Sequence, residues 1–175
     1  YGESLMYYEP YQYVKAFNLY KKLAKEKYKA ERSILKMGII SQKVGHYENA
    51  FKLFSFEPYQ NNASYTRRLA MMYENGNYVK KDLKKSIYYY SLNSNTMDEG
   101  TVLRLLLEAK SYKKCQSKYL DIKWKKMDIN LIAAECYAKL RDFRKSKSII
   151  ESLLERNDNN KKALAIYSKY KLFDY

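Results

Sequence analysis

The stretch MGIISQKVGHYENAFKLF, residues 37–54, carries the clearest indication of how the chain folds. Its second half carries Tyr47, Ala50 and Phe54 at spacings of three and four residues, which place all three on one face of a helix. The small residue at the centre of that face lets a partner helix approach closely. Gly38 supplies a small residue to the helix that precedes it. The stretch therefore predicts two closely packed helices, a helical hairpin.

The same three-residue pattern recurs along the chain. An earlier copy lies 34 residues before the quoted one, at Tyr13, Ala16 and Tyr20. Three later copies are Leu83, Ser86 and Tyr90, then Tyr112, Cys115 and Tyr119, and finally Phe143, Ser146 and Ile150. A helical pair that cannot bury its apolar face alone stacks on copies of itself, so this recurrence is typical of a helical repeat protein.

Each copy is expected to be the second helix of a pair. The first helices carry small residues of their own, as with Ala70 before the third copy and Ala134 before the fifth. Gly, Pro and Asn mark breaks between the predicted helices at residues 9–10, 45–46, 58–62, 75–77, 93–95 and 157–160. The positions of these breaks agree with the hairpins that the repeat predicts.

The predicted fold class is all-α, a superhelix of about five helical hairpins followed by a C-terminal helix. Residues 161–170 form that last helix, with Leu164 and Tyr167 expected to face inward. No Ser/Gly-rich linker interrupts the chain, so residues 1–175 are predicted to be a single helical-repeat domain. The first residue is Tyr1 rather than Met, so we expect an excerpt of a longer chain.

Composition agrees with a helical fold. The chain is 46% hydrophobic, too apolar for disorder, and its 5 Gly and 2 Pro are few for the turns of an all-β protein. No run of about 18 apolar residues occurs, so no membrane span is predicted. The formal net charge of +15 favours an acidic partner, which leaves acidic protein segments, nucleic acid and anionic membrane surfaces open.

The two cysteines, Cys115 and Cys136, lie in apolar helical patterns without CxxC spacing. This placement predicts buried reduced thiols rather than a metal site or a redox pair. Reduced thiols favour a reducing compartment, so the protein is expected to be intracellular, either cytoplasmic or nuclear.

Two segments resemble the tetratricopeptide repeat family. The first consists of Met37, Gly38, Gly45, Tyr47, Ala50 and Phe54, and the second of Ala133, Ala134, Tyr137, Phe143, Ser146, Ile150 and Leu153. The third copy is more similar to a Sel1-type repeat, through Leu69, Ala70, Tyr73, Gly76, Val79, Asp82, Lys85, Ser86, Tyr89 and Tyr90. The fourth copy departs from the family with Leu103 at a small-residue position. The resemblance implies an α-superhelix that binds other proteins.

Residues 37–73 are also similar to the amino-terminal repeats of scaffold subunits of the anaphase-promoting complex. This resemblance implies a nuclear, cell-cycle ubiquitin-ligase scaffold in which such repeats pair as homodimers.

Catalytic machinery is not expected. His46 is the single histidine and is predicted to be an exposed turn residue. No phosphate-binding GxxxxGK[ST] or GxGxxG motif occurs, and no zinc-binding HExxH motif. We therefore predict a protein that is not an enzyme and that has no catalytic residues, metal or cofactor.

Two surfaces are candidate binding sites. Helical solenoids commonly bind partners through the concave face lined by their first helices. The repeat alignment assigns Leu35, Ile39, Arg67, Met71, Arg104, Leu131 and Glu135 to that face. This mixed apolar and basic strip suits a peptide with apolar anchors and acidic flanks, although packing between neighbouring repeats is an alternative explanation.

The second surface is a predicted basic ridge. It consists of the pairs just before the small residue in copies three, four and five: Lys84, Lys85, Lys113, Lys114, Arg144 and Lys145. A ridge of this kind suits an acidic protein segment or a phosphate backbone, while a solvated helix face is the ordinary alternative. Spacings of 29 to 36 residues between copies disfavour repeats that read successive RNA bases. A protein scaffold is thus the leading prediction, with possible homodimers, and nucleic-acid binding is the alternative.

Replacing Ala50 by Trp tests the repeat alignment. The large indole should force the two helices of the second hairpin apart, because overpacking a well-filled site costs roughly 1–3 kcal/mol or more. We expect a clearly lower Tm in thermal denaturation followed by circular dichroism. An unchanged Tm would contradict the alignment.

Overall fold

The computed structural model describes residues 10–174 except 27, 60 and 93–95, and leaves aside the side chains of residues 10, 11, 96 and 97. Within this described part the chain forms ten α-helices and no β-strand, which confirms the all-α prediction. Contacts divide the chain into two compact units, unit 1 (residues 1–93) and unit 2 (residues 94–175).

Unit 1 contains five helices that pack against their neighbours in sequence. They are α1 (Pro10–Leu23), α2 (Ala30–Lys43), α3 (Tyr47–Phe54), α4 (Ala63–Asn75) and α5 (Leu83–Ser91). A 3-10 turn at Glu57–Tyr59 separates α3 from α4, where the sequence predicts a break. The break expected at 93–95 lies outside the described residues.

Four of the predicted pattern residues, Ala16, Tyr20, Ala50 and Phe54, lie in two core clusters of unit 1, whereas Tyr47 is exposed. The main cluster consists of Ala50, Phe54, Tyr65, Leu69 and Met72, and a second one of Ala16, Tyr20 and Ile40. A methyl group added at Gly38 on α2 would lie 2.5 Å from the Phe54 ring on α3. Only glycine therefore fits where α2 meets α3.

Two local features form the turn of the third hairpin, between α4 and α5. Gly76 ends α4 in the left-handed conformation with φ of 73°, which glycine adopts without a steric penalty. The Asp82 carboxylate then accepts a hydrogen bond from the backbone N–H of Lys85 at 3.0 Å and caps the start of α5. Gly76 lies within the break that the sequence predicts at residues 75–77.

Unit 2 also contains five helices. They are α6 (Thr96–Glu108), α7 (Tyr112–Asp121), α8 (Met127–Lys139), α9 (Phe143–Leu154) and α10 (Lys161–Lys169), followed by a 3-10 turn at Leu172–Asp174. Helix α8 lies at the centre and contacts the other four. Its Ala134 carbonyl accepts a buried hydrogen bond from the Ser146 hydroxyl of α9 at 2.8 Å, so the predicted small residues of the fifth hairpin meet.

Two predictions for unit 2 are wrong. Cys115 and Cys136 are not reduced thiols but form a disulfide between α7 and α8. Their Cα atoms lie 6.4 Å apart, within the usual range for a disulfide. The prediction failed because the packing of α7 against α8 brings together two residues that are distant in sequence. Leu164 does not face inward and is 42% exposed. The buried residue of α10 is Ala163 instead.

Two helix ends in unit 2 escaped the sequence analysis. Lys110 after α6 and Arg141 after α8 adopt positive φ of 54° and 63°, a role that glycine fills at the end of α4. Because neither residue is Gly, Asn or Pro, composition gave no signal of a turn.

Paired glycine substitutions test the close contact of α2 with α3. Alanine favours helix over glycine by about 1 kcal/mol, so Gly100→Ala in α6 should raise stability, because its new methyl group meets Ile129 at an ordinary 3.6 Å. Gly38→Ala should instead lower it, because the Phe54 ring is fully buried and cannot move aside cheaply. Chemical denaturation followed by circular dichroism measures both. Equal changes of the same sign would contradict this account.

Alkaline pH should lower the stability of unit 1 because of the Tyr65 hydroxyl. Burial, reinforced by the charge of Glu31, raises the pKa of the Tyr65 hydroxyl well above its ordinary value of 10. Above pH 10 the unfolded chain loses this proton while the folded chain keeps it, so stability falls by up to about 1.4 kcal/mol per pH unit.

Denaturation at pH 9 and pH 11 measures this effect. Tyr65→Phe should lose less stability between the two values than the parent protein. The matched control Tyr28→Phe, at a side chain that is 97% exposed, should follow the parent protein. If all three proteins lost the same stability, Tyr65 would not be a source of the pH dependence.

Candidate protein-binding groove

The structure separates the seven predicted concave-face residues into two groups. In unit 1, Leu35 and Ile39 on α2 are half-buried and pack against the main core cluster. Arg67 and Met71 on α4 are also half-buried. Leu35 and Ile39 thus serve the core of unit 1 at least in part, as the alternative explanation expects.

In unit 2, the other three predicted residues come together in one groove. Arg104 of α6 and Leu131 and Glu135 of α8 line an open cavity of about 440 Å³. The remaining lining residues are Asp128, Ile132, Lys162, Ala165 and Ile166. We call this cavity the α6–α8–α10 groove, after the helices that form it.

The floor of the groove is apolar. Leu131 is buried, and Ile132 and Ile166 are half-buried on the facing helices α8 and α10. Ala165 is exposed at the groove surface. A floor of aliphatic side chains between helices can accept an apolar side chain of a ligand.

The rim of the groove carries charges of both signs, and some are already balanced within the protein. The Glu135 carboxylate accepts hydrogen bonds from the Lys169 ammonium at 2.6 Å and from the Tyr170 hydroxyl at 3.3 Å. The hydrogen bond to Glu135 raises the pKa of the Lys169 ammonium above its ordinary value. Arg104 lies 3.5 Å from Glu108.

Lys162 and Asp128, both exposed, complete the rim. Rim charges of this kind orient a ligand and accelerate its association more than they add affinity.

Sequence reasoning missed the contribution of α10. Lys162 and Ile166 stand four residues apart and therefore share one helix face, a signal that was present in the sequence. Because Leu164 was expected to face inward, the wrong face of α10 was predicted to pack on the core.

All six residues of the predicted basic ridge are exposed. Each pair occupies the first turn of its helix, α5, α7 or α9. Lys84 and Lys85 belong to unit 1, and the other four residues belong to unit 2. Lys113 and Lys114 line a shallow pocket together with Lys110. The continuity of the ridge across all three copies stays a prediction.

Other kinds of site find little support in the described residues. His46 is exposed in the turn before α3, as predicted. In the described part of the chain, no group of three or more His, Cys, Asp or Glu side chains is placed to hold a metal ion. No helix of that part is both long and apolar enough to cross a membrane.

No known family model matches the chain, and no curated protein is significantly similar to it. The groove and its surroundings are therefore the basis for a functional proposal.

Proposed function

We propose that the chain is a non-catalytic scaffold that binds other proteins, and that the α6–α8–α10 groove receives a peptide segment with apolar anchors and acidic flanks. The hairpins would stack as a superhelix of the tetratricopeptide type. The observation that carries the proposal is the groove itself, in which three of the predicted concave-face residues meet over an apolar floor.

The origin of the lining residues supports this proposal. Helices α6 and α8 are the first helices of the fourth and fifth hairpins, and α10 follows in the position of another first helix. A groove lined only by first helices is what a helical solenoid offers to its ligands. An amphipathic segment laid in such a groove would place its apolar side chains on Leu131, Ile132 and Ile166.

The energetics suit a moderate affinity. Each fully buried Leu or Ile anchor contributes about 1.5–3 kcal/mol, so two anchors supply part of the roughly 8 kcal/mol that a micromolar complex requires. The net charge of +15 attracts acidic flanks toward the protein. Lys162, exposed at the rim, is the side chain best placed to pair with one of them.

Three narrower expectations stay predictions. They are a role as a scaffold subunit of the anaphase-promoting complex, pairing as a homodimer, and a cytoplasmic or nuclear location. The first depends on the resemblance of residues 37–73. The disulfide between Cys115 and Cys136 removes the argument from reduced thiols for a reducing compartment. Sedimentation equilibrium at low and high salt measures whether the chain pairs with itself.

A synthetic peptide probe tests the groove. It carries Leu at spacings of three and four residues between Glu-rich flanks, and a scrambled peptide of the same composition serves as its control. Isothermal titration calorimetry should show binding of the patterned peptide in the micromolar range and much weaker binding of the scrambled one. Equal binding of both peptides would mean that charge alone drives the association.

Two variants of α10 make this test specific. Lys162→Glu should weaken binding of the patterned peptide about fivefold, mainly by slowing association, because it replaces a cation at the rim with an anion. Lys161→Glu changes the charge equally at the neighbouring exposed position, which does not line the groove, and should change binding less than twofold. Equal losses in the two variants would contradict binding in the groove.

A further inference from the structure

Five aromatic rings of unit 1 form a continuous chain of contacts, which we call the aromatic ladder. In order along the ladder they are Tyr78, Phe51, Tyr73, Tyr89 and Tyr88. The ring centroids of successive pairs lie 5.6, 6.1, 5.6 and 5.4 Å apart, and the central Tyr73–Tyr89 pair is stacked with an angle of 8° between the ring planes. The ladder begins at Tyr78 in the loop between α4 and α5 and continues through α3 and α4 to α5.

Both ends of the ladder are open to solvent. Tyr78 is 54% exposed and Tyr88 is 59% exposed. The backbone of Tyr78 adopts a φ of 68°, a left-handed conformation that is strained for a bulky residue. Burial of apolar surface does not explain why the rings at the two ends are exposed. Backbone strain such as that at Tyr78 often marks a functional site.

Lysines lie close to Tyr73, the central ring of the ladder. Lys80, Lys81, Lys84 and Lys85 all lie within residues 78–85. The Lys85 ammonium lies 5.1 Å from the centroid of the Tyr73 ring. Lys80, Lys81 and Lys85 line an open cavity of about 490 Å³ together with Tyr73, Val79 and Asp82. Tyr73 of the ladder and three lysines thus line one cavity on the surface of unit 1.

Two carboxylates near the ladder already have partners within the protein. Asp82, the only acidic residue within 78–85, caps α5 through its hydrogen bond to the Lys85 N–H. Beside Tyr78, the Glu48 carboxylate pairs with the Lys52 ammonium at 2.8 Å. Four lysines and one aspartate lie within residues 78–85, so this segment carries an excess of positive charge.

We propose that the aromatic ladder and its lysines form a binding surface for single-stranded nucleic acid. Unpaired bases stack on the exposed rings of Tyr78 and Tyr88, and the phosphates contact Lys80 and Lys84. An acidic peptide would use the lysines but would gain little from flat rings, and paired bases in a duplex offer no free face for stacking. This surface belongs to unit 1 and does not depend on the groove of unit 2.

The proposal predicts binding of a fluorescently labelled oligothymidylate of twelve nucleotides to the full chain, measured by anisotropy at several salt concentrations. Tyr88→Leu should weaken binding about five- to a hundredfold, because it removes one stacking ring and keeps an apolar side chain. Tyr28→Leu is the matched control at a fully exposed tyrosine of the same unit and should change binding less than twofold. Lys84→Ala should reduce the slope of log affinity against log salt by roughly 0.7.

Three results would overturn the proposal. The first is absence of binding to the oligonucleotide at low salt. The second is an equal effect of Tyr88→Leu and Tyr28→Leu, which would leave charge as the only attraction. The third is displacement of the oligonucleotide by a polyglutamate peptide of the same charge and length at equal concentration, which would assign the lysines to an acidic protein segment.

Discussion

The close approach of two helices at a small residue organises the packing of both units. In unit 1, Gly38 of α2 leaves the space that the Phe54 ring of α3 fills, and Ala50 is fully buried beside it. In unit 2, Ser146 and Ala134 meet through a buried hydrogen bond. Short helices of this length are marginal alone, so their stability comes from such packing rather than from helix propensity.

The same packing arranges the binding surfaces. Because second-helix residues such as Ser146 contact α8 at Ala134, other residues of α8 are left to line the groove with α6 and α10. In unit 1, the turn after Gly76 places Tyr78 against Phe51 and Lys85 over Tyr73. One repeated contact therefore supports two surfaces of different chemistry, an apolar groove in unit 2 and an aromatic, basic surface in unit 1.

Sequence analysis predicted the helices well and the surfaces only in part. Residues such as Ala50 and Phe54 were identified correctly as core because helical periodicity depends on local spacing alone. The Cys115–Cys136 disulfide and the position of Lys162 in the groove depend on which helices meet in space, which local spacing does not determine. The exposed ring of Tyr78 escaped for a related reason, since its orientation follows from a left-handed backbone at a residue other than glycine.

A double-mutant cycle between Gly38 and Phe54 measures this central contact most directly. Leucine at position 54 would leave room for an extra methyl group, so the two substitutions should be strongly coupled. We expect Gly38→Ala to lower the free energy of unfolding in the parent protein and to raise it in the Phe54→Leu background, by roughly 0.5–1 kcal/mol from helix propensity. The same cost of Gly38→Ala in both backgrounds would contradict it, because the Phe54 ring would then not be the group that requires glycine.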